Sequence, residues 1–332
     1  MTQRRTVLAG LAAMLPLRGF AQDPGIGAGG GAGAGAGSHT IDRLALWPGA
    51  PPGAAQTRVV EEWVRRSPTG GPDDIAWPHV ATPMLSVLKP ARPTGAAVLI
   101  CPGGGYVRVA VGRAPGSISH WFADRGVTAF ELLYRLPHDH WPAGPDVALQ
   151  DAQRAMRVIR AGAGTRWTVD PARVAVTGFS AGGHVAARLA ARSTLPVYAP
   201  QDAADRLSAT PTVAGLFYPV ITMFDAGVHA QSRNELLGAN AADPDYQRRY
   251  SAQVDLPSTM PPTYLACNAD DPVVPFANSL LMMEALRAAR VPAELMVFEK
   301  GGHGPPARRR NGTVVPWQQM FADWAGDHGW HG

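Results

Sequence analysis

A serine hydroxyl attacks a carbonyl near neutral pH only when a base takes its proton and a carboxylate orients that base. Ser180 stands where such a nucleophile would be expected. It is the centre of Gly178-Phe-Ser-Ala-Gly182, a G-x-S-x-G pattern. A β-branched apolar run, Val174 to Thr177, precedes it, and a helix-forming run, His184 to Arg192, follows it. Strand, sharp turn and helix would lift the Ser180 hydroxyl clear of a sheet, and glycine neighbours relieve the crowding of so tight a turn. The five residues alone also suit an ordinary glycine-rich turn with a serine cap.

The partners of Ser180 are expected later in the chain, the acid first and the histidine second, each on a loop after its own strand. Asn268-Ala-Asp-Asp-Pro272 follows one apolar run, and Glu299-Lys-Gly-Gly-His303-Gly304 follows the last one. His303, between glycines, is the expected base. Asp271 is the expected orienting carboxylate, with Asp270 as the alternative. Acyl transfer also needs donors for the oxyanion. The amide of Ala181, next after the nucleophile, is one candidate. The amides of Gly104 and Gly105, in Pro102-Gly-Gly-Gly-Tyr106 after an early strand, are the others. No G-x-G-x-x-G or G-K-[ST] pattern turns that glycine run into a phosphate cradle. His184, four residues beyond Ser180, is expected to pack or cap. His138-Asp-His140 has metal-ligand types, but no further His, Cys or Glu cluster in the sequence completes a set, so neither metal nor cofactor is expected.

The elements that must hold these residues alternate. Strands are expected at 44–47, 58–63, 83–88, 96–101, 127–134, 174–177, 213–218, 263–267 and 293–298. Between them lie helical patterns at 117–124, from Asp146 onward with Asp146 as cap, at 184–192, 278–287 and 315–327, with short helices at 235–238 and 245–250. Ala96-Ala-Val-Leu-Ile-Cys101 is apolar on both faces, which suits a central strand covered on both sides. Strand and helix in alternation imply an α/β fold, a mostly parallel sheet with helices on both faces. Whether the polar segment 225–262 covers the cleft is left open.

With 332 residues, 46% of them hydrophobic and 17% charged, the chain can bury one large core. The net charge of +4 does not argue for a nucleic-acid partner, because Arg4, Arg5 and Arg18 lie in the first 21 residues, which carry no acid. Those residues have the pattern of an export signal: Arg4-Arg5, an apolar stretch to Leu17, and the small residues Gly19 and Ala21 at a cleavage site. The paired arginines suggest the twin-arginine route to the periplasm or beyond. Residues 22–40 are expected to form a Gly/Ala-rich linker and 41–332 the catalytic domain. The apolar stretches are too short for stable membrane insertion of the mature chain. Cys101 and Cys267 each end an apolar run and are expected as free core thiols.

From about residue 44 to 327 the chain resembles the α/β-hydrolase superfamily, and within it the acetyl xylan esterase and lipase-like branch. The stretches that carry the likeness are Leu46-Trp-Pro-Gly-Ala-Pro51, Cys101-Pro-Gly-Gly-Gly-Tyr106, Tyr134-Arg-Leu-Pro137, Gly178-Phe-Ser-Ala-Gly-Gly-His184, Asn268-Ala-Asp-Asp-Pro-Val-Val-Pro275 and Gly301-Gly-His-Gly304. Pro102 stands where related lipases carry a histidine. The resemblance implies an α/β-hydrolase fold and a serine esterase that removes small acyl groups, most simply acetate from a plant-wall polysaccharide such as xylan. It also leaves room for a general carboxylesterase or lipase, or a prolyl-oligopeptidase-like peptidase.

Overall fold

The computed structural model describes residues 39–305, 309 and 311–332. The expected export signal and most of the expected linker lie outside the described residues.

Strand β5 (Gly95–Cys101) is the centre of the molecule, and all seven of its residues are buried. Its side chains alternate between two cores. Ala97, Leu99 and Cys101 enter one, and Ala96, Val98 and Ile100 enter the other. A strand apolar on both faces is stable only where both faces are covered, because one face left in water would forfeit its burial energy. The cover comes from helices α1 (Ser117–Ala123), α2 (Val147–Ala161), α3 (Ala181–Ala191), α6 (Ala277–Ala288) and α7 (Trp317–Asp327). Residues of α2, α3 and α6 line the first core, and residues of α1 and α7 line the second.

The sheet has eight strands in the order β1-β4-β6-β5-β7-β8-β9-β10. They are β1 (Thr40–Ala45), β4 (Met84–Lys89), β6 (Thr128–Leu133), β5, β7 (Val169–Phe179), β8 (Ala214–Phe217), β9 (Thr263–Asn268) and β10 (Ala293–Phe298). From β6 to β10 every pairing is parallel; β4 runs antiparallel to both β6 and β1. The sheet is therefore mostly parallel, as its sequence pattern implies. After β5 the chain crosses through α1 to β6, and after β7 it crosses through α3 to β8 on the other side. Those two helices lie on opposite faces, so the carboxyl ends of β5 and β7 flank the point where the winding reverses. Open parallel sheets bind ligands in that crevice.

Several elements differ from expectation, β1 starting four residues earlier and β7 five. A separate two-stranded ribbon joins β2 (Glu62–Arg65), a few residues later than expected, to β3 (Ile75–His79), which the sequence hides. β3 contains Pro78 and follows a run of turn residues, so its local signal is weak, yet Ile75, Ala76 and Trp77 are buried. In the 225–262 segment, α4 (Ala230–Leu237) starts earlier than expected, while α5 (Pro244–Tyr250) nearly coincides with it. Asp146 makes no capping bond to α2. Its carboxylate accepts instead from Arg188, at 2.9 Å, and from the Tyr250 hydroxyl, at 3.2 Å. Cys101 and Cys267 are both free and buried.

Candidate active site

Ser180 separates β7 from α3 with φ 54° and ψ −122°, a conformation that costs a serine on the order of 1–3 kcal/mol. Its backbone is held from both sides. The Ser180 amide donates to the Phe217 carbonyl (3.1 Å), and the Ser180 carbonyl accepts from Gly183 (2.9 Å) and Val220 (3.0 Å). The turn has no room for a side chain at Gly182, where a Cβ would overlap the Cys101 and Pro102 carbonyls.

The three expected residues meet at the carboxyl edge of the sheet. His303 Nε2 lies 2.9 Å from Ser180 Oγ, and His303 Nδ1 lies 2.8 Å from Asp271 Oδ2. The Asp271 side chain is 1% exposed and that of His303 is 4%, so water competes little for either bond. Asp271 Oδ1 accepts from the amides of Val273 (2.8 Å) and Val274 (3.0 Å), which fixes the carboxylate. Asp270, the alternative, faces elsewhere. Its Oδ1 accepts from the amides of Gly301 and Gly302, both at 2.9 Å, and so anchors the histidine loop. The Gly302 and Gly301 amides, with Lys300 nearby, hold the Asp270 carboxyl below its ordinary range.

Asn268, in the Asn268-Ala-Asp-Asp-Pro272 stretch, supports the histidine loop. Its side-chain amide donates to the carbonyls of Gly302 and Gly304, each at 2.9 Å, and clamps the loop around His303. The edge of Tyr218 also packs on the His303 ring, with centroids 4.9 Å apart. Neither contact has a sequence signal, because Asn268 ends β9 and Tyr218 follows β8, both distant from His303 in the chain.

The glycine loop lies against the serine turn. A Cβ on Gly103 would sit 3.0 Å from Ser180 Cβ and 2.9 Å from the Phe179 carbonyl. Gly104 has φ +133°, open to glycine alone. The Gly103 carbonyl accepts from Ala110 and the Gly104 carbonyl from Val107 and Arg108, closing the loop on itself. Among the described residues, the amides of Gly104 and Gly105 have no protein acceptor. The amide of Ala181 stands in the first turn of α3, where N–H groups lack helical partners and the helix dipole favours negative charge. Pro102, the departure from related lipases, keeps the loop in place by its carbonyl, which accepts from the Tyr134 hydroxyl at 2.8 Å. A cavity of about 530 Å³ runs beside the stem of this loop, bordered by Pro102, Phe179 and the buried Glu131. Ser180 and His303 do not line it, so it is separate from the reacting centre.

Segment 225–262 reaches this edge. Gln231 Oε1 would lie 3.7 Å from a Cβ on Gly105. His229, at the start of α4, has its imidazole pKa lowered by burial and by the nearby His303.

His184 packs, as expected. His138 and Asp139 gain a neighbour the sequence did not reveal. His79, 60 residues from Asp139 in the chain, puts Nδ1 2.6 Å from Asp139 Oδ1, while His138 Nε2 donates to the Pro78 carbonyl at 2.9 Å. The ligand-type atoms of the three lie within 4.8 Å of one another, without His140. His79 and Asp139 bond to each other, and His138 Nδ1 lies 3.2 Å from Glu235 Oε2.

A family model, BD-FAE, matches residues 87–286, which include Ser180, both strands that flank it and the glycine loop. The chain belongs to the BD-FAE family. Within 30% identity over 218 residues it is similar to an acetylxylan esterase of Xylanibacter ruminicola, covering 65% of this chain and 42% of that protein. It is 31% identical over 234 residues to endo-1,4-beta-xylanase B of Butyrivibrio fibrisolvens, covering 69% and 34%. The chain thus spans less than half the length of either relative. Among solved structures, an acetyl ester-xyloside bifunctional hydrolase from Caldicellulosiruptor lactoaceticus superposes with TM-score 0.67 at 30% identity, covering 88% of this chain and 97% of that one. A putative carboxylesterase from Lactobacillus plantarum follows the same fold, with TM-score 0.56 at 26% identity over 82% and 98%. The α/β-hydrolase fold and the likeness to acetyl xylan esterases, both implied by the motifs, are met by this BD-FAE chain.

Proposed function

We propose that this chain is a serine esterase that removes small acyl groups, acetate above all, from a plant-wall polysaccharide such as xylan. The observation that carries this reading is the hydrogen-bonded series Ser180, His303 and Asp271, with contacts of 2.9 and 2.8 Å beside a glycine loop. Ser180 Oγ attacks the ester carbonyl while His303 Nε2 takes its proton. Asp271 holds the imidazole tautomer and stabilises the imidazolium. The amides of Ala181 and of Gly104 or Gly105 take the developing oxyanion. His303 returns the proton to the leaving sugar alcohol. Water then attacks the acetyl-serine, giving up a proton to His303, and acetate leaves with Ser180 restored. No cofactor enters these steps.

The sugar part of the reading is supported by the names of the xylan-related relatives. Export through the twin-arginine route is part of the same proposal, supported by Arg4-Arg5 and by the size of a polymer that must be met outside the cell. The test is acetate release from acetylated xylan, run beside p-nitrophenyl acetate, p-nitrophenyl octanoate and a triglyceride. Acetate release from xylan with little octanoate hydrolysis is expected. Octanoate turnover well above acetate would replace this reading by a general carboxylesterase or lipase.

A further inference from the structure

We infer that Tyr106 and His184 form a positioning strut that sets the oxyanion glycines and ties them to segment 225–262. The inference rests on the serine-esterase reading, to which it adds two residues that touch none of the reacting atoms.

Tyr106 follows Gly105 directly and has φ 62°, in the left-handed region that a bulky side chain enters only when its surroundings hold it there. The hold is visible. Tyr106 OH lies 2.7 Å from His184 Nδ1, and the opposite ring nitrogen, Nε2, lies 2.7 Å from the Tyr250 carbonyl. A carbonyl can only accept, so the imidazole proton sits on Nε2. Nδ1 is then the acceptor, and the Tyr106 hydroxyl must donate to it. The strut has one direction of donation from end to end. Tyr106 is 1% exposed, His184 0% and Tyr250 3%, so water replaces neither bond.

The three residues belong to different parts of the site. Tyr106 ends the glycine loop, His184 stands on α3 one turn beyond Ser180, and Tyr250 closes α5 in segment 225–262. Tyr106 also meets the His184 ring edge-on, with centroids 5.8 Å apart. Burial, with Arg188 near, holds the His184 imidazole down to about 3, so it remains neutral and the strut keeps its donor order across the working range. Lengthening the strut would release Tyr106 from its left-handed backbone and shift the neighbouring amides of Gly104 and Gly105. Oxyanion donors act only at short range, so the loss would appear in the chemical step and not in substrate binding.

Two measurements on the full chain test this. In histidine ¹⁵N NMR, His184 should appear as the neutral Nε2–H tautomer throughout the range in which ordinary imidazoles titrate. In Tyr106→Phe its Nδ1 resonance should move while the ring stays neutral. A His184 that titrates like a free imidazole overturns the strut. In kinetics, Tyr106→Phe should lower kcat on p-nitrophenyl acetate by about tenfold to a hundredfold, somewhat less than removal of a whole oxyanion donor. KM should change by less than about threefold, because the lost interaction is made only in the transition state. His184→Ala should lose more, and His184→Gln, which can both accept and donate, should recover part of it. Wild-type kcat in Tyr106→Phe overturns the inference. Fluorophosphonate labelling separates the two levels. A wild-type chain unlabelled at Ser180 removes the esterase reading, whereas equal labelling rates in wild type and Tyr106→Phe remove the strut alone.

Discussion

At the scale of single residues, the two carboxylates beside the last crossover divide the work. Asp271 is hydrogen-bonded to His303 Nδ1, and Asp270 to the amides of Gly301 and Gly302 in the loop before it. Substitution should separate them. Asp271→Asn keeps the shape but favours the wrong imidazole tautomer, and kcat on p-nitrophenyl acetate should fall by about 10⁴. Asp270→Asn keeps an Oδ1 acceptor for the Gly301 and Gly302 amides, so its kcat should stay within about tenfold of wild type. Equal losses in the two variants would remove the assignment of Asp271. Ser180→Ala should cost on the order of 10³ to 10⁶ in rate, because residues acting as a unit lose most of their effect together. Activity that survives this change would remove the nucleophile.

At the scale of elements, two of the stretches that carry the resemblance are joined by a buried ion pair. Arg135, just after β6, and Asp151, on α2, have fully buried side chains. The guanidinium also donates to Gln150 and to the Pro52 carbonyl, and Asp151 accepts from the Trp47 indole at 2.8 Å. The pair therefore joins the Leu46 to Pro51 stretch to the Tyr134 to Pro137 stretch. Tyr134 in turn reaches the Pro102 carbonyl at the foot of the glycine loop. Removing one partner leaves an uncompensated buried charge. Arg135→Met should destabilise the fold by about 3–5 kcal/mol, read as a lower urea midpoint. A midpoint like that of wild type would show that the pair contributes nothing net.

At the scale of the whole molecule, burial gives stability a dependence on pH. Burial holds His184 at about 3, below the ordinary 6.5, so the unfolded chain takes up a proton that the folded chain refuses. This contribution is fully present above 6.5 and is lost as pH falls from there towards 3, by up to about 1.4 kcal/mol per unit. His229, also lowered by burial, adds to the same slope. Glu131 opposes it, since burial raises its carboxyl above 4.5 and its stabilising share is lost as pH rises. Urea midpoints on either side of 6.5 should therefore fall towards acid in wild type. The fall should be shallower in His184→Gln, and equal slopes would show that His184 does not control it.

The sequence by itself determined what depends on neighbours along the chain. The all-apolar run of β5 required cover on both faces. The glycines around Ser180 required a tight strand-to-helix turn, and the order of acid and histidine after later strands followed from the crossovers. Three-dimensional folding decided what depends on residues distant in sequence. β3 was not legible, because a five-residue strand with a proline gains its stability from burial of Ile75 and Trp77 and not from its own pattern. Asp146 looked like a helix cap and became a partner of Arg188 and Tyr250, since long-range charge and hydrogen bonding outweighed the local capping bond. Asn268, Tyr218 and the strut from Tyr106 through His184 to Tyr250 carry no local signal at all. A hydrogen bond needs atoms within about 3 Å and a particular direction. Periodicity can say which face a residue occupies, but only the closed tertiary structure brings such atoms to that distance.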